Sequence, residues 1–307
     1  MTMFQHESVL LEEACNLLVT DVNGIYVDGT LGRAGHSMRL LQLLSSSGRV
    51  IGCDKDPTAI AHANNLAEQD GRLQVVHDSF ANIDQYLDGR QINGLLLDLG
   101  VSSPQLDDAD RGFSFMRSGK LDMRMNPEIG ISAAELLANI SEQDLIDILI
   151  TYGEERYARR IAAAIIARRY IRPFVDTYDL ADVVKQAHPN WQKGKHPATK
   201  VFQALRIKVN DELTDLEILL SKLLDLLVVG GRLVIISFHS LEDRIVKNFI
   251  RRYSSNQRDI PRRLPVFDSN NSDIRLRKLG KFKASSEQIK LNPRSRSAIM
   301  RGAEKIL

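Results

Sequence analysis

The densest chemistry in the chain lies in residues 24–36, where Ile25-Tyr26-Val27-Asp28 is followed by Gly29, Gly32, Gly35 and His36. Three apolar, β-favouring residues ending on a carboxylate predict a strand. Glycines at every third position then let the backbone turn tightly and approach a ligand with no Cβ in the way. The apolar spacing of Met38, Leu40, Leu41 and Leu44 signals a helix next. Strand, glycine-rich turn and helix open a nucleotide-binding α/β unit. The spacing is G-x-x-G-x-x-G and not the dinucleotide fingerprint G-x-G-x-x-G, which counts against a nicotinamide oxidoreductase. An acid at the strand end would repel a pyrophosphate and suits a cationic, hydroxyl-bearing ligand. S-adenosylmethionine, with its ammonium, sulfonium and ribose, has that character.

The same construction recurs. Arg49-Val50-Ile51-Gly52-Cys53-Asp54 reads as a second strand ending on an acid, and Asp54 lies nineteen residues beyond Gly35. That is where a carboxylate grips the ribose hydroxyls of an adenosine cofactor; an N-cap for the helix begun by Pro57 is the alternative. Leu73-Gln74-Val75-Val76-His77 predicts a third strand, with Phe80 just beyond it, either stacked on an adenine or packed in the core. Residues 92–97 form a fourth strand ending at Asp98. A fifth, Arg232 to Phe238, delivers His239, Ser240, Glu242 and Asp243. His239 is a candidate for orienting a base or moving a proton, against a structural role in the turn. Continuous apolar strands alternating with helices predict a parallel sheet covered on both faces, with ligands outside the carboxyl ends of its strands. Asp28, Asp54, Phe80 and Asp98 all fall at such ends.

The alternation breaks after Asp98. Residues 106–130 are irregular and carry Phe113 and Phe115 among Arg111, Arg117 and Arg124, a set able to stack on and clamp a nucleotide or to pack on its own domain. A helical block follows. Ser132 with Glu135 is a capping box, Ser141 caps the next run, a strong helix spans 154–170 with five arginines, and Thr177 opens another. These features predict an all-helical insertion over 108–196, its arginines and the Lys193-Gly194-Lys195-His196 loop forming a phosphate-contacting surface. The helical acids and bases have no metal-ligand spacing. The α/β pattern resumes with helices over 197–210 and 211–228, the second stopped by Gly230-Gly231. Near the end, the segments 274–283 and 297–306 alternate as an antiparallel hairpin at the sheet edge.

A net charge of +2 over 307 residues hides an asymmetry: residues 1–150 carry 10 Lys and Arg against 22 Asp and Glu, whereas the remainder carries 31 against 17. A basic half suits a polyanion. Cys15 and Cys53 form no C-x-x-C pair and read as having no disulfide partner, and Cys53, inside an apolar strand, reads as a reduced core thiol. With no signal-peptide layout and no spanning apolar run, the chain reads as cytoplasmic and not membrane-bound.

Several stretches together resemble the bacterial 16S ribosomal RNA cytosine-N4 methyltransferase family. They are Asp28-Gly29-Thr30 with Gly32-Arg33-Ala34-Gly35-His36; Leu96-Leu97-Asp98-Leu99-Gly100-Val101-Ser102-Ser103-Pro104-Gln105; Arg111-Gly112-Phe113-Ser114-Phe115-Met116-Arg117; Leu121-Asp122-Met123-Arg124-Met125; His196-Pro197-Ala198-Thr199; and Ile236-Ser237-Phe238-His239-Ser240-Leu241-Glu242-Asp243. The resemblance covers the chain from end to end. It departs at Ala34, where that family usually has glycine. It implies a class I Rossmann-like methyltransferase of the α/β class, with a seven-stranded, mostly parallel sheet. The sheet domain would span 1–107 and 197–307, with a substrate-recognising helical insertion at 108–196. It implies S-adenosylmethionine contacts at Ala34, Gly35, His36, Asp54, Phe80, Asp98 and Gln105; the candidates for the chemistry itself, read from the residues, are Asp98 and His239. Phe113, Phe115, Arg124, Lys195 and Arg206 are then the candidate contacts to 16S rRNA within the small ribosomal subunit, and a homodimer is compatible. A catalytically silent ribosome-assembly factor on the same fold is the competing reading.

Overall fold

The computed structural model describes residues 8–190, 196–255 and 274–307. The chain falls into two compact units, one made of residues 1–100 and 214–307 and the other of 101–213.

The first unit alternates strands and helices: α1 (Leu11–Leu18), β1 (Ile25–Asp28), α2 (Gly35–Leu43), β2 (Arg49–Asp54), α3 (Pro57–Ala67), β3 (Leu73–His77) and β4 (Ile92–Asp98). The second unit holds α4 (Ser103–Asp107), α5 (Ala133–Asn139), α6 (Glu142–Thr151), α7 (Ala158–Arg169), α8 (Thr177–Ala187) and α9 (Ala198–Asn210). The chain returns through α10 (Glu212–Leu226), β5 (Leu227–Ser237), α11 (Ser240–Ser254), β6 (Leu276–Lys283), α12 (Ser286–Leu291) and β7 (Ile299–Lys305).

One seven-stranded sheet runs in the order β3-β2-β1-β4-β5-β7-β6. The first five are mutually parallel, β7 is antiparallel to β5, and β6 turns back against β7. The order reverses between β1 and β4, which is where open α/β sheets leave a crevice at their strand ends. Strand residues serve the two faces alternately. Leu95, Leu97, Leu233 and Ile235 belong to one core with the leucines of α10. Leu96, Val234 and Ile236 belong to the other with α1 and α2. Fully apolar strands are the consequence of having both faces covered.

The helical unit has a core of its own, built from residues such as Leu121, Leu145, Ile161, Leu180 and Phe202. Its boundaries differ from the sequence expectation. Residues 101–107 and 197–213, expected in the sheet domain, lie in this unit. The reason is packing: Ala198, Val201, Phe202, Ala204 and Leu205 on one side of α9 enter the helical core. Within it, α7 starts at Ala158, because Glu154 takes a left-handed φ of 46° and breaks the run. The capping boxes at Ser132 and Glu135 and the cap at Ser141 form as expected.

Two corrections apply near β5. The glycines do not stop α10, which ends at Leu226, but lie inside β5. Pairing with β4 jumps from Ile92↔Leu227 to Gly94↔Arg232, so residues 228–231 form an irregularity that Gly230 accommodates at φ 83°. The terminal antiparallel pair exists, but α12 and a short 3₁₀ turn (Pro293–Ser297) separate its strands.

Candidate functional site

Three carboxylates stand at the carboxyl ends of three neighbouring strands. Asp28, Asp54 and Asp98 close β1, β2 and β4, and β1 pairs with both of the others. Asp28 is buried; its Oδ2 accepts from the Ser37 hydroxyl at 2.7 Å and its Oδ1 from Thr30 N–H at 3.3 Å. Burial lifts its carboxyl above the ordinary range, against the pull of His36 and of those hydrogen bonds. Asp54 Oδ2 accepts from Gly32 N–H at 2.8 Å and Oδ1 from Asp56 N–H at 2.9 Å, fixing the glycine turn to the end of β2. Burial pushes its pKa up to about 6. The N-cap of α3 is Asp56, whose carboxylate accepts from Thr58 N–H, so Asp54 does not cap this helix.

Asp98 differs from both. Its backbone N–H donates to Thr30 Oγ1 at 2.6 Å, which locks the strand end to the glycine turn. Its side-chain Oδ1 is closed off and, among the described residues, has no hydrogen-bond partner. Burial raises its carboxyl well above the ordinary range, reinforced by the charges of Asp28 and Glu242. His36, buried at the start of α2, sets Nδ1 3.9 Å from Asp98 Oδ2 and Nε2 3.2 Å from the Val9 carbonyl. A carbonyl only accepts, so Nε2 carries the proton and Nδ1 turns a lone pair towards Asp98. Burial lowers the pKa of His36, opposed by Asp28, and the ring is neutral at pH 7. An unpaired carboxylate oxygen in this setting costs about 1–3 kcal/mol when no ligand compensates it.

The surrounding backbone is close-packed. A Cβ on Gly35 would stand 2.1 Å from Ser8 Oγ, and one on Gly29 would stand 2.5 Å from Leu97 and 2.9 Å from Phe80. Phe80, half-buried at the start of a 3₁₀ turn, therefore lies against the glycine loop while also joining the core of that sheet face. Ala34 is buried and left-handed (φ 60°, ψ 20°) as the N-cap of α2. His239 is the N-cap of α11 in a capping box: it accepts from Glu242 N–H, and Glu242 Oε2 accepts from the N–H groups of Phe238 and His239. His239 Nε2 lies 3.1 Å from Glu242 Oε1, without hydrogen-bond alignment. That geometry gives His239 a structural occupation at the end of β5.

In the helical unit, the expected contact residues have varied surroundings. Gln105 is buried in a capping box, its Oε1 accepting from Ser102 N–H at 2.9 Å. Phe113 lies in the helical core with Arg111 over its ring at 5.7 Å, so its face is not open to stack on a base. Phe115 is half-buried, its ring 4.7 Å from His196 and 4.9 Å from Phe202. Arg124 grips Asp122 through Nε and a terminal nitrogen at 2.8 and 2.7 Å. Arg206 makes the same two-pronged grip on Glu212, both bonds 2.8 Å. Lys195 lies outside the described residues, as does the rest of its loop before His196.

The chain matches the MraW methylase family over residues 3–306. It is 53% identical over 308 aligned positions to the ribosomal RNA small subunit methyltransferase H of Chromohalobacter salexigens, covering 99% of this chain and 92% of that one. A protein of the same name from Marinomonas sp. is 49% identical over 310 positions, covering 99% and 98%. This chain belongs to the MraW methylase family.

A methylase must hold a methyl donor, and the donor set of this MraW-family protein fits S-adenosylmethionine. The orphaned Asp98 Oδ1 suits an ammonium group. Asp54, with one backbone N–H on each oxygen, keeps lone pairs for two ribose hydroxyls. Sequence reasoning missed Thr30 and Ser37, the two hydroxyls that tie Asp98 and Asp28 to the turn. Their positions beside the glycines were the available signal. It also missed that Ser102-x-x-Gln105 reads as a capping box, a pattern present in the letters. Both cysteines are free and buried, and burial pushes the Cys15 thiol up to about 12. Among the described residues, no helix is long and apolar enough to cross a membrane.

Proposed function

We propose that this protein transfers the methyl group of S-adenosylmethionine to the exocyclic N4 of a cytidine in the decoding region of 16S rRNA, in the cytoplasm. The observation that carries the reading is Asp98: a buried carboxylate oxygen with no partner among the described residues, beside a glycine turn, at the reversal point of a parallel sheet. The family match and the names of two close relatives supply the reaction class and the RNA.

Bound S-adenosylmethionine supplies an electrophilic methyl on a sulfonium. Asp98 is assigned to the ammonium end, where the ligand's charge offsets the desolvation of the carboxylate. Asp54 is assigned to the ribose, held rigid by the Gly32 and Asp56 amides. Gly29 and Gly35 let Leu97, Phe80 and Ser8 pack directly on the backbone of the turn. The neutral His36 fixes the start of α2 through Val9 and turns no donor towards Asp98, so the carboxylate keeps its acceptor capacity for the ligand.

Cytosine N4 is a weak nucleophile because its lone pair is delocalised into the ring. Transfer therefore requires acceptors for the amino hydrogens and an in-line approach at about 3–3.5 Å. With Asp98 on the ammonium, backbone carbonyls around Val101-Ser102 are the candidate acceptors; the alternative places Asp98 on the amino group in place of the ammonium. Phe115 is the better candidate of the two phenylalanines for holding an unstacked base, since Phe113 is committed to the core.

The test is methyl transfer from labelled S-adenosylmethionine to small subunits that lack their native methyl groups, followed by nucleoside analysis. Label on N4 of a single cytidine is expected. Tight cofactor binding with no label in the RNA would turn the assignment towards a silent assembly factor.

A further inference from the structure

From Arg156 to Arg172 the chain carries six arginines and no acidic residue. Helix α7 occupies most of this stretch, and Ile161, Ala162, Ile165 and Ile166 bury one side of it. Two of the six arginines serve the fold. Arg168 pairs with Asp179, and Arg169 donates to the carbonyls of Leu137 and Ile140 at the end of α5. The other four point outwards. Arg156, Arg159 and Arg160 are exposed, and none has a carboxylate partner among the described residues. Arg172 is 69% exposed and reaches Asp179 only at 3.4 Å.

Helix stability does not explain this placement. The N-terminal end of a helix favours anions, yet Arg159 and Arg160 occupy the first turn of α7, with no acid there and no side-chain cap. At the far end, Tyr170 and Ile171 are each 80% exposed, although the Arg169 guanidinium lies over the Tyr170 ring at 5.5 Å. About ten residues, or roughly 15 Å of helix, separate the two ends. Guanidinium groups without carboxylate partners at one end, and at the other an exposed aromatic ring that only Arg169 lies over, match the chemistry of single-stranded RNA, whose phosphates take the charge and whose unstacked bases take the ring.

We propose that the outward face of α7, with Arg156, Arg159 and Arg160 at one end and Tyr170, Ile171 and Arg172 at the other, docks small-subunit rRNA. The arginines bind its phosphates and Tyr170 stacks on an unpaired base. This rests on the reading that rRNA is the substrate. The face narrows the phosphate-contacting surface expected from the arginines of this insertion, and it leaves out Arg124 and Arg206, which are each committed to a carboxylate.

The experiment compares full-length protein with an Arg156→Gln/Arg159→Gln/Arg160→Gln variant, the matching triple lysine variant and Tyr170→Ala. Binding to undermethylated small subunits is measured at several salt concentrations, alongside affinity for S-adenosylmethionine. The glutamine variant is expected to bind subunits about 10- to 100-fold more weakly, with the salt slope reduced by about 2–3. The lysine variant keeps the slope, and Tyr170→Ala loses about 5- to 100-fold. Cofactor affinity stays unchanged in all three, which also certifies the fold. Wild-type affinity and slope in the glutamine variant, with methyl transfer intact, overturn the docking surface and leave the substrate reading standing. A loss of affinity without change in slope overturns it in favour of a protein partner. Wild-type protein that neither binds nor methylates rRNA removes the substrate reading itself.

Discussion

Charge is handled in opposite ways at the strand-end edge of the sheet and inside the helical unit. At the edge, Asp28, Asp54 and Asp98 are all raised by burial, and among the described residues no lysine or arginine bonds to any of them. In the helical unit, Arg124 and Arg206 hold Asp122 and Glu212 in two-pronged pairs, and Arg168 holds Asp179. Even within the sheet unit the contrast appears over a short distance. Asp243, just after β5, is gripped by Arg301 at 2.7 and 3.0 Å, and that hydrogen bonding holds its carboxyl below the ordinary range. A paired charge is finished; it stabilises a fold and asks for nothing more. An unpaired buried carboxylate raises the free energy of the ligand-free protein and lowers it again when a cation arrives.

The sharpest way to break that contrast is Asp98→Asn. Losing the charge opposite a ligand cation is expected to weaken S-adenosylmethionine binding on the order of 10²-fold. The same change removes a desolvated charge, so the ligand-free protein should melt at a higher temperature. Calorimetric titration and thermal melts of one preparation read both effects. A variant that loses affinity and stability together would mean that Asp98 is part of the scaffold.

The converse experiment is Arg206→Ala. Its partner Glu212 is left largely buried and unpaired, and unfolding in urea should show a loss of about 2–3 kcal/mol. Cofactor affinity should hold, and subunit binding at saturating folded protein should change less than twofold. If RNA affinity collapses while stability holds, the pair is a functional one and the contrast fails.

Much of the edge could be read in the letters, because an apolar strand ending on an acid is a local pattern. Asp28, Asp54 and Asp98 needed only strand ends and parallel order to be brought together. The fate of the arginines was not legible, since nothing in the spacing of Arg206 and Glu212 says that they meet, and Arg124 looked like a clamp. Helix α9 was misassigned for the same reason: its amphipathic pattern announces a buried side and not which core buries it. The start of β5 was hidden because Leu226-Leu227-Val228-Val229 suits a helix or a strand, and the glycines that suggested a helix stop relieve an irregularity instead.

Acidity offers a graded test of the edge. Asp54 and Asp98 have raised pKa values in the folded, ligand-free protein, so below the ordinary carboxylate range near 4 the folded and unfolded states bind protons alike. As the pH climbs from there through about 6 for Asp54, and through the raised pKa of Asp98, the unfolded state gives up protons first and ligand-free stability declines. Cofactor binding needs the ionised carboxylates and runs the other way. Affinity should rise with pH across this window, by up to about tenfold per pH unit for each proton released. Titration calorimetry in buffers of different ionisation enthalpy counts the protons, and Asp98→Asn should release fewer. An affinity flat between pH 5 and 8 would show that the carboxylates are already ionised without ligand.

The smallest effect belongs to Ala34, where the edge stores backbone strain as well as charge. A left-handed alanine is disfavoured by about 1–2 kcal/mol, which Ala34→Gly would relieve. Against this stand the loss of a buried methyl beside Leu31 and Ala63, about 0.8 kcal/mol, and the greater freedom of glycine in the unfolded chain, about 0.4–1 kcal/mol. The opposing effects nearly cancel. Urea unfolding should place Ala34→Gly within about 1 kcal/mol of the parent, and cofactor affinity should change by less than about twofold. A gain above about 2 kcal/mol would mean that the methyl contributes nothing to packing and that the turn is held open by strain alone. A loss of that size would make the Ala34 methyl a fixed part of the wall that positions Gly35, and the glycine turn would then owe its shape to packing as much as to its glycines.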